Sequence, residues 1–334
     1  MIRHGVAFAG NLIVDRIRKI DHLPLRSELA MIHTINHSTG GVLNSAISLM
    51  MLDKQIPIDI YGVVGVDAEG DYILSELKKL GIRTSNVIRR GETAFTDVYE
   101  EMHFHCRTLF HYSGANDSFD ANDVPYETLS HRIFHLAYPL LLKALDRPDP
   151  EYGTGVGQVL FYARQAGCLT SIDVVTEDSN RYESLVRPLL PYVDYLTVNE
   201  LEAQRITGIQ LTHSDGGIIP EHMPLALARL FDLGVNHRAV IHAPSGAFGM
   251  DAVGHYAQEP SKHLPAGYIK GTVGAGDAFC AGTLLAAYRG LTVSDALRFG
   301  NASALLSLQA DTANGAMTSI DEALAHYDYL VSED

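Results

Sequence analysis

The chain has 334 residues, 46% hydrophobic and 19% charged, with a formal net charge of -15. That length is ample for a sizeable core. The acidic balance argues against nucleic acid or an anionic membrane surface as a partner, but leaves room for a small anion in a locally basic or amide-lined pocket.

"GVAFAG" near the start is a short apolar run ending in glycine and predicts a buried first strand. The stretch "MIRHGVAFAGNLIVDRI" lacks the apolar core and small-residue cleavage site of a signal peptide. No apolar run approaches the roughly 18 residues that span a bilayer. The cysteines Cys106, Cys168 and Cys280 are odd in number and widely spaced, with no CxxC. Reduced thiols in the cytoplasm are expected, not a disulfide frame or zinc site.

Further along, a helix is predicted from Asn44 to Leu52, then a strand at "IDIYGVVG". "DAEGDYILSELKKLGI" is an amphipathic helix with Ile73, Leu74, Leu77 and Leu80 on one side, closed by Gly81. From Thr93 to Ser113 the pattern becomes β-branched and aromatic residues alternating with polar ones. It predicts a β insertion with one wet face, pairing with "ELAMIHTIN". His103, His105 and His111 alternate along it, and exposed strand positions suit them better than a metal site, since no acid or cysteine completes a set. "IFHLAY" is another buried strand.

The second half alternates helix and strand. Helices are expected over Gly155–Ala166, Tyr182–Leu190 and Pro220–Leu233, each leading into a strand ("LTSIDV", "YLTVN", "RAVIHA"). Short strands follow at "FGMDAV" and "HYAQE", and two long helices, starting at Gly276 and near Ser294, close the chain. Strand–helix alternation implies one α/β domain over residues 1–334, with a mostly parallel sheet covered on both faces.

"KGTVGAGDAFCAG" (Lys270–Gly282) places a lone acid directly behind a glycine-rich turn and before an apolar run. Gly274 and Gly276 would let the chain turn tightly into a helix. The helix start offers unpaired N–H donors and partial positive charge to an anion such as phosphate. Asp277 then stands where an attacking hydroxyl needs a base. The string is not a P-loop, since no Gly-Lys-Ser/Thr follows. It also fits a dinucleotide fingerprint poorly, because Ala278 and Phe279 stand where a third glycine belongs. A nicotinamide dehydrogenase is accordingly a remote reading.

This string closely resembles the C-terminal signature of the ribokinase (PfkB carbohydrate kinase) family, Asp-Thr-x-Gly-Ala-Gly-Asp. The resemblance implies a ribokinase-like α/β fold with a small β-sheet lid, its strands at about residues 12–37 and 93–115. It implies ATP and Mg²⁺ as cofactors and a sugar or sugar derivative as phosphoryl acceptor. Gly274, Ala275 and Gly276 would form the anion hole, with Thr272 beside the nucleotide and Asp277 as catalytic base.

Other strings agree in order, from Gly10 to Ser319. "GNLIVD" resembles the first strand and turn, whose acid (Asp15) binds sugar hydroxyls; a carboxylate can accept two bonds from a diol. "TGGVLNSA" resembles the Gly-Gly…Asn stretch of the sugar pocket and gives Gly40, Gly41 and Asn44. The usual spacing has one more residue, so either Gly40 stands for the second glycine or the loop is shorter. "RTLFHYSGAN" resembles the return strand of the lid, where Arg107 either touches an anionic substrate or is solvated. "VNELEA" resembles an Asn-x-x-Glu motif, Asn199 and Glu202, that organises Mg²⁺ largely through water; it also reads as an N-cap with an acid at N3. "VIHAPSGAFGMD" gives Gly246 beside ATP, with Ala243 replacing a first glycine. "GNASALL" gives Asn301 near the adenine.

The largest departure is Gly271, where the family usually has Asp. In several relatives that Asp belongs to a monovalent-cation site, so its loss argues against activation by K⁺. Two other readings stay open: a nucleoside kinase of the same family, and a sugar- or nucleotide-binding regulator without catalysis. A homodimer through the lid strands is a further expectation.

Overall fold

The computed structural model describes residues 3–102 and 107–330. The chain begins with β1 (Val6–Gly10), whose five residues are all buried, as a strand covered on both faces requires. There follow β2 (Leu12–Ile20), β3 (Ile32–Gly41), α1 (Val42–Leu52), β4 (Ile58–Val64), α2 (Ala68–Lys79), β5 (Arg83–Arg89), β6 (Ala94–Glu101), β7 (Arg107–Tyr112) and β8 (Ile133–Ala137). The second half contains a two-residue hairpin, β9 (Pro148–Asp149) and β10 (Gly153–Thr154), then α3 (Gly155–Gln165), β11 (Leu169–Asp173), β12 (Tyr195–Asn199), α4 (Glu200–Thr207) and α5 (Met223–Asp232). The chain closes with β13 (Arg238–Ala243), β14 (Gly246–Asp251), β15 (Tyr256–Pro260), α6 (Ala275–Arg289), α7 (Val293–Ser307) and α8 (Ile320–Tyr329).

Among the described residues the main sheet runs β15-β14-β13-β12-β11-β8-β1-β4-β5. Its pairs are parallel from β5 to β13 and antiparallel only at the β13-β14-β15 edge. One face packs against α3, α4 and α5 through residues such as Leu160, Ile206 and Leu227. The other packs against α1, α2, α6, α7 and α8 through Leu43, Ile73, Leu285 and Phe299. The mostly parallel sheet covered on both sides is thus as expected. β5, an edge strand of alternating exposure, has too little apolar content to announce itself.

The lid is a separate sheet, β3-β2-β6-β7. The 93–113 segment does not pair with "ELAMIHTIN" directly: β2 lies between, antiparallel to β3 and parallel to β6. The lid strands therefore occupy 12–41 and 94–112, longer at the first boundary than expected because β3 runs on to the glycine pair that starts α1. His111 is described and bonds to Thr96 at 3.1 Å; His103 and His105, like Cys106, lie outside the described residues.

Two helix expectations fail for local reasons. Over 182–192 the chain forms one wide turn and then a 3₁₀ segment. Pro188 and Pro191 lack the N–H that an α-helix would use there. At the end of the chain α8 joins the two expected helices, started by a reciprocal cap between Ser319 and Glu322.

Candidate active site

The glycine-rich turn enters α6 with Gly274 as N-cap at φ 78°. A side chain at Gly274 would lie 2.2 Å from the Ala313 side chain, so both conformation and space demand glycine. Beneath the turn, His242 packs on Phe279 with ring centres 5.0 Å apart. Burial lowers His242 to about 4, which keeps it neutral. Gly276 has no side chain above that ring; a methyl there would come within 3.5 Å of it.

Asp277 sits in the first turn of α6. Its Oδ2 accepts from Asn44 Nδ2 at 3.1 Å, and its Oδ1 accepts from the Tyr138 hydroxyl, with Ser45 Oγ 3.5 Å away. Asn44 and Ser45 come from α1, and Tyr138 follows β8. Burial raises the Asp277 carboxyl, and its bonds from Tyr138, Asn44 and Ser45 pull it back.

Asp15 faces the same space from β2. Burial, with the nearby Asp277 charge, raises it to about 7. Gly40 makes room for it: a side chain there would meet the Asp15 carboxylate at 2.4 Å. Gly41 is the N-cap of α1 at φ 69°. By register Asp15 shares one lid face and one row with Ser38, Thr96 and His111. Ser38 Oγ and Asn44 Oδ1 are buried with no partner among the described residues. Buried polar atoms rarely stay so, and a polyhydroxy ligand would satisfy both.

Asn199 and Glu202 form a complete reciprocal cap at the start of α4. Glu202 is buried and also accepts from Thr176 Oγ1 at 2.7 Å and Asn199 Nδ2 at 2.9 Å. Burial raises it to about 7. Asp173, at the end of β11, rises well above the usual carboxylate range through burial, then through Glu202 and Asp277. Negative charge on Glu202 and Asp277 raises Asp173, and a cation nearby would relieve it. Among the described residues no three His, Cys, Asp or Glu side chains converge as a ready metal cage. This donor set suits Mg²⁺ held mainly by water and phosphate oxygens, with Glu202 and Asp173 as its outer partners.

Next to the turn opens a cavity of about 470 Å³ lined by Asn199, His242, Thr272, Gly276, Asn301 and Tyr327, among others. It joins the expected nucleotide residues Asn199, Thr272 and Asn301 with the Gly274–Gly276 turn. Gly246 does not line it. At φ 152°, Gly246 opens β14, where a side chain would strike the Glu259 carbonyl at 2.7 Å; Ala243 lines the cavity. Arg107 is not level with Asp15. It lies four residues along the lid, 15% exposed, and donates to Thr272 Oγ1 at 3.3 Å. The sequence reading missed Tyr138, which follows β8, and Asp173, the last residue of β11, single residues with no local motif to mark them.

The pfkB family carbohydrate kinase model matches residues 3–320. The chain belongs to that family. It is 21% identical to the ribokinase of Staphylococcus aureus strain COL over 324 residues, covering 95% of this chain and 97% of that protein. Arabidopsis thaliana ribokinase, solved with ribose and ATP, superposes with a TM-score of 0.76 at 22% identity, covering 97% of this chain and 98% of that one. A ribokinase-like Escherichia coli protein in complex with ATP and Mg²⁺ superposes at 0.77 with 17% identity, covering 99% and 100%. The fold of this family member is therefore ribokinase-like, and its class is that of an ATP-dependent carbohydrate kinase. No helix among the described residues is long and apolar enough to cross a membrane.

Proposed function

We propose that the protein transfers the γ-phosphoryl group of ATP to a hydroxyl of a neutral sugar or sugar derivative. The observation that carries this reading is Asp277, half-buried behind the Gly274–Gly276 turn and facing the space shared with Asp15 and Asn44. In this reading Asp15 and Asn44 hold acceptor hydroxyls. Asp277 takes the proton as the acceptor oxygen attacks phosphorus; the new O–P bond forms while the bond to the bridging oxygen of ADP breaks. The amides of Gly274–Asp277 stabilise charge on the moving phosphoryl group, so the protein contributes positioning and electrostatics. Mg²⁺, where bound, neutralises the nucleotide phosphates. Asn199, Thr272 and Asn301 line the nucleotide cavity.

Lys19, a cation at the lid's inner end, is held by Asp311 at 3.2 Å, which favours an uncharged acceptor over a sugar phosphate. Gly271 supplies no carboxylate, so K⁺ has no activating role in this reading. Two copies would pair through the outer lid face, where Ile35, Phe110 and Tyr112 are exposed; a monomer by sedimentation at micromolar concentration would overturn that pairing. The location in this reading is the cytoplasm.

The test is ADP release from Mg-ATP across sugars, sugar acids, sugar phosphates and nucleosides, with K⁺ and with Na⁺. A single strong neutral sugar, indifferent to K⁺, is the expected result. A nucleoside as best acceptor would replace the sugar reading. Silence across the panel with ATP still bound would favour a non-catalytic regulator.

A further inference from the structure

Arg238 opens β13, at the end of the sheet opposite the glycine turn, and is only 8% exposed. By register it stands between Tyr195 of β12 and Asp251 of β14. Its Nη2 donates to the Leu291 carbonyl between α6 and α7, and its guanidinium carbon lies 5.8 Å from the centre of the Tyr195 ring. Its Nε and Nη1 are buried and have no partner among the described residues.

No acid among the described residues makes up the difference. Asp251 and Asp295 act on Arg238 through space without forming an ion pair with it. Asp251 accepts from His255 and from the Val253 amide, and Asp295 caps α7 with Thr292. A guanidinium cannot shed its proton to escape burial. Nearly buried charge is costly unless paired, and buried N–H groups rarely stay without an acceptor.

Arg238 is the charged wall of a small cavity of about 10 Å³, which it lines with Tyr195, Thr197, Val240, Thr283 and Leu284. The two threonine hydroxyls are engaged with each other at 3.2 Å, and Thr283 also donates to the Cys280 carbonyl at 2.8 Å. The cavity has room for one small particle. A water would accept from the guanidinium but leave its charge unpaired. Sulfate or phosphate would need more space and more donors. A monatomic anion meets both demands, since it only accepts and carries the missing charge.

We propose that Arg238 forms a halide site, filled by chloride, in which Nε–H and Nη1–H donate to the ion. The bound ion ties the starts of β12 and β13 to the turn between α6 and α7. The site is independent of the kinase reading.

The first test uses wild-type crystals soaked in bromide and measured at the bromine absorption edge. An anomalous peak within about 3.5 Å of Nε and Nη1 is expected. The second is the melting temperature in sodium chloride against sodium gluconate at equal ionic strength. Chloride at about 200 mM should raise it by about 2–4 °C, with saturation, and Arg238→Met should abolish the difference between the two salts. Water density without an anomalous peak in the cavity would overturn the proposal. So would a peak with no chloride dependence in the wild type, which would mean an adventitious ion only, or a salt difference that persists in Arg238→Met. If Arg238→Met does not fold, the bromide peak and the wild-type chloride titration decide the matter.

Discussion

The Asp277 carboxylate is held on both oxygens, by Tyr138 on one and Asn44 on the other. Donors to the charged form lower a carboxyl and burial raises it. The charged or titratable groups around it are Tyr138, Asp15, Asp173 and Cys280, and the last three bring no positive charge. Tyr138→Phe removes one donor, so the Asp277 carboxyl should rise. The acid limb of the kcat/KM profile is then expected to move up by roughly half to one pH unit, the worth of one hydrogen bond. An unmoved limb would mean the phenol does not touch the working base. Asp277 itself was legible in the sequence, because small residues before an acid and an apolar run after it are a local pattern. Tyr138 was not. It reaches Asp277 from the end of β8, which lies next to β1 in the sheet, and no neighbouring residue announces that.

The elements that present the site are set by a few backbone positions. Gly274→Ala would force an L residue to φ 78° and drive its methyl into Ala313. It should cost about 1–3 kcal/mol of stability, read as a lower denaturant midpoint, and at least tenfold in kcat as the amides shift. Stability and kcat both unchanged would contradict the anion-turn geometry. The start of α4 was equally legible, since Asn-x-x-Glu is a capping pattern whatever else it does. Less legible were the proline-broken turn at 182–192 and the lid pairing. Strand propensity marked the lid strands, but the partner of each depends on β2 threading between β3 and β6.

At the scale of the molecule, the fold holds acids away from water: burial raises Asp15 and Glu202 to about 7, and Asp146, which accepts from the Leu140 and Leu142 amides, to about 6, from ordinary values of 3.8 for Asp and 4.5 for Glu. The folded chain therefore holds protons that the unfolded chain releases, and stability falls as pH rises through that window. The buried imidazoles His135 and His242, lowered to about 3 and about 4, act oppositely, but only below their ordinary 6.5. Between pH 6.5 and 8 the acids act alone. The melting temperature of the unliganded protein should fall across that range, and Asp15→Asn should flatten the slope and raise the value at pH 8. A melting temperature that climbs with pH there would refute this assignment of buried charge. Composition and alternation made the parallel sheet legible at this scale. The charge held against charge in the site was not, because it exists only once β2, β11, α4 and α6 converge.

The most direct measurement is the turnover of Asp277→Asn against wild type on the best acceptor found, with acceptor binding followed by calorimetry. A loss of about 10²–10⁴ in kcat with binding nearly intact is the expected result for removal of a general base. Wild-type kcat in Asp277→Asn would contradict the central assignment.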